Sequence, residues 1–266
     1  MLGNYIHEYS YVCPAHCEGA SMIRYHGGPI TPQEAAIKAW RDGHAMISFA
    51  NPGQVELAFE YASEVAIDNG AFSLWGKGEQ IDVEAYLKFL EAWRRHPAFG
   101  WCVIPDVIDG SEQENARLIQ DWPLQNYISV PVWHMHEHLD VLGWLVDDFP
   151  RVAIGSSGMY SEIGTDRWKK RIAEAMIVAC DVDGYPKTRL HGLRQMDNDI
   201  TSNVPYASVD SCNIARNIGT DSAWNDNSYS PKSKDTRALV MRDRIAHHAS
   251  CSRWTGCWGR NMELFG

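Results

Sequence analysis

The stretch Glu64-Val65-Ala66-Ile67-Asp68-Asn69-Gly70-Ala71-Phe72 decides the fold. Its first five residues form a short apolar run with β-branched Val65 and Ile67, and the Asn-Gly pair after it is a turn signal. The run is too short for a helix and apolar on both faces, as in a strand buried from both sides of a parallel sheet. Comparable runs recur at residues 45–49, 100–106, 129–134, 151–156, 188–193 and 207–211. Helical segments fall between them. In residues 82–95 the apolar positions Val83, Leu87 and Leu90 are spaced i, i+4, i+7, and Trp93 extends the face. Asp82 is placed to cap that helix and Pro97 to stop it. Residues 111–121, 138–148 and 166–179 read alike. Strands alternating with helices imply parallel βαβ units.

The chain has 266 residues, which suits one α/β domain of the TIM (β/α)8 type. The reading takes 1–266 as that domain, with 1–44 an irregular N-terminal segment and 217–266 a C-terminal loop and helix. Seven strand runs are visible where a barrel needs eight. The eighth is expected at residues 5–12 or beyond Asp210. A doubly wound open sheet is the alternative, weakened because no G-x-G-x-x-G follows the first strand. Residues 9–29 and 217–235 lack periodicity and read as loops.

A net charge of −10 excludes a general nucleic-acid coat, because phosphate binding needs clustered cations. A local basic patch is still allowed, from Arg237, Arg242, Arg244, Arg253 and Arg260, or these form a solvated helix face. The first residues carry no basic region followed by an apolar run, and no apolar stretch reaches membrane length. A soluble, cytoplasmic protein with no membrane partner is expected. The seven cysteines read as thiols or metal ligands before disulfides.

The chemistry lies at the strand ends. Asp68 closes Val-Ala-Ile-Asp, Asp106 follows Cys-Val-Ile-Pro, His134 closes Val-Pro-Val-Trp-His, and Gly155 and Ser156 close Val-Ala-Ile-Gly-Ser. Asp210 sits in Ala-Ser-Val-Asp-Ser. In a parallel barrel these ends share the face on which active sites are built. Each Asp alone could merely cap the next helix. Three at equivalent positions point to a site, since like charges gathered together serve stability poorly.

Asp68-Asn69-Gly70-Ala71-Phe72 resembles the Asp-Ser-Gly-Gly-Phe/Tyr signature of tRNA-guanine transglycosylases. Val209-Asp210-Ser211-Cys212-Asn213-Ile214-Ala215-Arg216 is similar to their nucleophile segment, an Asp followed six positions later by Arg. Val152–Ser156 resembles their Ala-Val/Ile-Gly-Gly segment, residues 102–106 the strand ending in their base-reading Asp, and Leu190-His191-Gly192-Leu193 the strand before the nucleophile. The five segments keep the family's order. The resemblance implies a base exchange through a covalent glycosyl-enzyme. Asp210 would be the nucleophile and Asp68 the acid/base partner. Phe72 would stack on the base, beside Gly70. Asp106 would accept from a guanine-like edge, and backbone N–H groups around Gly155 and Ser156 would bond its carbonyl. Arg216 would hold a flanking phosphate.

The resemblance is incomplete. Ser156 replaces the second Gly of the family's pair, and His134 stands where the family has a base-contacting Gln. The family's Cys-x-Cys-x2-Cys zinc pattern is missing. His247, Cys251 and Cys257 are the substitute ligand candidates, with His248 beside them and Cys13 or Cys17 as a fourth; zinc is not favoured and no cofactor is required. Short members of this superfamily occur in phages, where they place 7-deazaguanines in DNA. The expected partners are therefore a 7-deazaguanine base and nucleic acid, DNA ahead of tRNA, with a homodimer allowed. A non-catalytic partner subunit and a barrel hydrolase using water stay open as other classes.

Overall fold

The computed structural model describes residues 22–225, 230–256 and 258. Its strands are β1 (Ile23–Gly27), β2 (His44–Ser48), β3 (Glu64–Asp68), β4 (Phe99–Val103), β5 (Ser129–Val130), β6 (Val132–His134), β7 (Arg151–Gly155), β8 (Arg189–Gly192) and β9 (Ser208–Ser211). They form one parallel sheet in the order β5-β4-β3-β2-β1-β9-β8-β7-β6. Its two outermost members, β5 and β6, are consecutive in the chain and separated only by Pro131. Proline has no N–H to give the ladder, so the strand breaks there. Its carbonyl still accepts from Ala153 N at 2.9 Å. The segment therefore pairs with β4 through its first half and with β7 through its second. Eight staves curl into a nearly closed barrel of the TIM type, and the open-sheet alternative falls.

The helices surround the sheet: α1 (Gln33–Trp40), α2 (Val55–Tyr61), α3 (Ala71–Trp75), α4 (Val83–Trp93), α5 (Glu112–Gln120), α6 (Leu139–Asp148), α7 (Asp166–Ala179), α8 (Asn198–Thr201), α9 (Asn213–Asn217) and α10 (Lys234–Ala246). Their starts follow capping chemistry. Asp82 accepts from Ala85 N at 3.0 Å, and Ser111 and Glu114 form a reciprocal capping box on α5. The buried face of α4 centres on Tyr86 and Leu90, while Val83 and Leu87 are only half-buried.

Strand alternation sorts the core into two layers. Ile47, Ile67, Cys102, Trp133, Ile154 and Val209 face the helices. Tyr25, Met46, Ala66, Trp101, Val103, Val130, Val132 and Ala153 fill the barrel. Towards its N-terminal end the filling is polar and paired. Trp101 Nε1 donates to the Tyr25 hydroxyl at 2.9 Å, that hydroxyl donates to Glu64, and the Arg151 guanidinium lies 5.0 Å from the Trp101 ring centre.

Three expectations need correction. The eighth strand is β1, inside the region read as loop, and 1–44 is not irregular because it also holds α1. Arg24 and His26 interrupt its apolar signal, because they point outward. Arg24 donates to His248 O, and the His26 carbonyl accepts from Trp40 Nε1. Residues 5–12 lie outside the described ones. The strand expected to run to Asp106 ends at Val103.

Candidate active site

The C-terminal ends of the strands open onto a cavity of about 420 Å³, within the range of small-molecule sites. Asp68, Phe72, Asp106, His134, Gly155, Ser156, Asp210 and Arg216 all line it. One of the expected site residues, Gly70, does not. It sits at φ 80°, where a Cβ would come 2.6 Å from Ala50 Cβ and 2.7 Å from its backbone nitrogen. Only glycine fits that turn. Its N–H donates to Asp68 Oδ2 at 3.1 Å, so Gly70 positions the carboxylate and does not contact a ligand itself.

Asp68 ends β3 in register with Ser48 on β2. Burial pushes its carboxyl up to about 6, and the charges of Asp210 and Asp106 add to the rise against hydrogen bonds from Ser48 and the Gly70 N–H. A carboxyl so placed is poised to give and take a proton near neutral pH.

Asp210, on β9, is held differently. Its Oδ1 accepts from Arg194 N at 2.7 Å, and His191 Nε2 lies 3.4 Å from the same oxygen. His191 is fully buried, with Nδ1 2.8 Å from Ser208 Oγ. Burial lowers its pKa despite the neighbouring Asp210, so the imidazole is neutral at pH 7. A neutral ring accepting from Ser208 has its N–H on Nε2, directed at Asp210. The pattern orients Asp210.

Asp106 belongs to a third cluster. The Asn69 amide donates to its Oδ1 and to Ile104 O, while His134 Nε2 lies 2.8 Å from its Oδ2. Burial opposes a charge on His134, but contact with Asp106 and the charge of buried Glu137 outweigh it, and the pKa is raised. Glu137 is itself held by the His134 N–H at 2.9 Å and the Asn115 amide at 3.0 Å. Both Asp106 oxygens thus carry one partner and keep a free lone pair for a ligand.

At the mouth, Phe72 is 45% exposed and the Arg194 guanidinium sits 3.9 Å from its ring centre. One face of Phe72 is therefore already covered. Arg194 occupies the left-handed region at φ 60°, and burial lowers its pKa. Ser156 turns its hydroxyl away, accepting from Trp168 Nε1 at 2.8 Å. Sequence reading missed Asn69, His191 and Arg194 as individual site residues. The first two stood inside quoted segments; Arg194 follows the last of them by one position, and nothing in its identity announced a left-handed turn.

The C-terminal expectations fare otherwise. Arg242 donates to Lys38 O and Arg41 O, Arg244 pairs with Asp221, and Arg237 donates to Pro231 O, so these three guanidiniums are spent within the chain. They do not form a free basic patch; Arg260 lies outside the described residues. His247 Nδ1 turns back to Asp243 O and Cys251 Sγ to Arg253 O, at 2.6 and 2.7 Å. Among the described residues no group of three His, Cys, Asp or Glu side chains is set to hold a metal, and these two do not fit a zinc site. Cys257, Cys13 and Cys17 lie outside the described residues. No described helix is long and apolar enough to cross a membrane.

No family model matches the chain, and no curated protein matches it. A solved structure described as a structural study from Aquifex aeolicus VF5 is similar, at 11% identity over 86% of this chain and 91% of that one, with a TM-score of 0.47. A likeness of that size says nothing about function.

Proposed function

We propose that the chain is a transglycosylase that exchanges guanine for a 7-deazaguanine in nucleic acid, DNA ahead of tRNA. The observation that carries the reading is the sharing of one cavity by Asp68, Asp106 and Asp210, each in a different electrostatic setting. A carboxyl raised by burial and by neighbouring carboxylates is placed for proton transfer, and a second one in the same cavity for nucleophilic attack.

In the proposed reaction an Asp210 oxygen attacks the anomeric carbon. The N-glycosidic bond breaks, its electron pair leaves with the base, and protonated Asp68 supplies the base with a proton. The product is a sugar ester of Asp210. The incoming 7-deazaguanine then attacks the same carbon through its ring nitrogen, gives its proton to Asp68 and releases Asp210. Two inversions retain the configuration, as in retaining glycosidases. Asp106 accepts from the N1–H and amino group of the base through its remaining lone pairs, a match adenine does not offer. The exposed face of Phe72 offers stacking worth about 1–3 kcal/mol. Arg216 holds a phosphate.

The test is incubation of the purified chain with labelled guanine and either DNA or tRNA, followed by nucleoside analysis. Label should enter DNA. Release of base without incorporation would make the chain a hydrolase, and no reaction with either polymer would overturn an enzymatic reading.

A further inference from the structure

A base exchange of this kind can draw its sugar from a free nucleoside or from a phosphorylated unit of a strand, and two arginines bear on that choice. Arg194 and Arg216 both line the cavity beside Asp210. Neither guanidinium makes a hydrogen bond or ion pair among the described residues; the only ring contact of Arg194 there is with Phe72, at 3.9 Å. This contrasts with Arg237, Arg242 and Arg244, whose donors are spent within the chain. Both arginines are exposed at the cavity, and two guanidiniums with unused donors there offer an anion charge-assisted hydrogen bonds.

The backbone explains why Arg194 stands there. Its φ of 60° is a conformation that L side chains seldom adopt. That turn brings the Arg194 N–H to Asp210 Oδ1 at 2.7 Å. The same residue thus fixes the carboxylate through its main chain and sends its side chain across the mouth to Phe72. Glycine would make the turn at no cost, so Arg194 carries a conformational penalty there.

We infer that Arg194 is a positioning residue that, with Arg216, cradles the phosphate of the nucleotide whose sugar faces Asp210, so that the substrate is a nucleotide unit and not a free nucleoside. The inference rests on the proposed base exchange for the orientation of the sugar, but not for the anion site itself. In the resting enzyme Arg194 lies on Phe72. When a nucleotide enters, the guanidinium moves to the phosphate while the base stacks on the exposed face of the ring. A planar fork of donors suits a phosphate better than an ammonium does.

The experiment uses Asp210→Asn protein, which binds without turning over, and a labelled guanine-containing single-stranded DNA oligonucleotide read by fluorescence anisotropy. Its partner probe carries uncharged methylphosphonates flanking the guanine. Natural DNA should bind at least about tenfold more tightly than the neutral probe. Adding Arg194→Gly, which keeps the turn and the N–H to residue 210, should abolish that difference and lower the salt slope by about 0.7, the value for one phosphate on a single strand. Arg194→Lys should restore part of it. Equal binding of both probes, or an unchanged preference in the Arg194→Gly background, would overturn the assignment. Base exchange is measured separately with active protein. Its absence alongside phosphate-selective, Arg194-dependent binding would sink the proposed function and leave the anion cradle standing.

Discussion

The two ends of the barrel spend their polar groups in opposite ways. At the N-terminal end Tyr25, Glu64, Trp101 and Arg151 satisfy one another inside a closed filling. At the C-terminal end Asp68, Asp106 and Asp210 crowd one cavity, and burial and mutual repulsion raise the Asp68 pKa to about 6. The first arrangement stabilises the fold. The second works against it, on the face where such barrels build their ligand sites. Variants at the two ends should therefore fail differently, losing fold at one and chemistry at the other.

The largest effect is expected from Asp210→Asn. An amide is no nucleophile for the anomeric carbon, so exchange should fall by at least about 10³-fold, as for loss of a catalytic nucleophile. The covalent adduct on a denaturing gel should vanish, and the melting temperature should not fall. An adduct that persists in Asp210→Asn and disappears in Asp68→Asn would swap the two roles.

Asp68→Asn should slow exchange by ~10²–10⁴-fold, as for loss of a general acid. It also carries a pH signature. A carboxyl whose pKa rises on folding favours the native state below its ordinary pKa, and that advantage is lost as pH rises through the folded value. The Asp68 carboxyl lies at about 6, so wild type loses stability between roughly pH 4 and 6 relative to a chain with no charge there. Asp68→Asn should melt higher than wild type at pH 8, and the gap should shrink as the pH falls to 4. Wild-type activity should decline as the pH rises past 6. A gap that stays constant across this range would remove Asp68 from the strained end of the comparison.

How much of this the sequence could show follows from the same contrast. The strands lined by helices announced themselves, because Val65 and Ile67 or Val152 and Ile154 bury the face towards the helices while Ala66 or Ala153 buries the other. β1 did not, because Arg24 and His26 stand on its outward face, where Arg24 donates to the His248 carbonyl. The carboxylates were legible because acids at the ends of apolar runs stand out. Arg194 was not, since its place depends on a left-handed turn and a ring contributed from 122 positions earlier, and neither leaves a periodic trace. The zinc candidates, not favoured from the sequence, rested on nearness along the chain; His247 Nδ1 and Cys251 Sγ turn to the Asp243 and Arg253 carbonyls.

Tyr25→Phe probes the satisfied end. Removing the hydroxyl strands the Trp101 N–H and takes away a donor from Glu64. The cost should be about 1–3 kcal/mol of stability, as for a buried donor left unpaired. Exchange per folded molecule should be unchanged. Reduced turnover at full folding, read by calorimetry alongside kinetics, would show that the two ends are coupled.

Asp106→Asn is expected to have the smallest effect, because this carboxylate sits between the two regimes. It lines the cavity, yet both oxygens have partners inside the protein. The carbonyl of the introduced side chain can keep the hydrogen bond from the Asn69 amide, which leaves the new amide NH2 facing His134 Nε2. Two donors then face each other if that nitrogen carries a proton. His134 can resolve the clash by giving up its charge and accepting through Nε2, since without Asp106 less remains to offset its burial. The fold therefore adapts at modest cost. The base cannot adapt in this way: guanine offers donors at N1 and the amino group, and the variant has lost an acceptor. Recognition should weaken by about tenfold, near 1.4 kcal/mol and at the low end of the range for one bidentate base contact. The measurement is KM for the incoming base in wild type and Asp106→Asn. A tenfold rise in KM with kcat nearly constant would place Asp106 in base reading. An unchanged KM with a lowered melting temperature would return it to the structural side of the barrel.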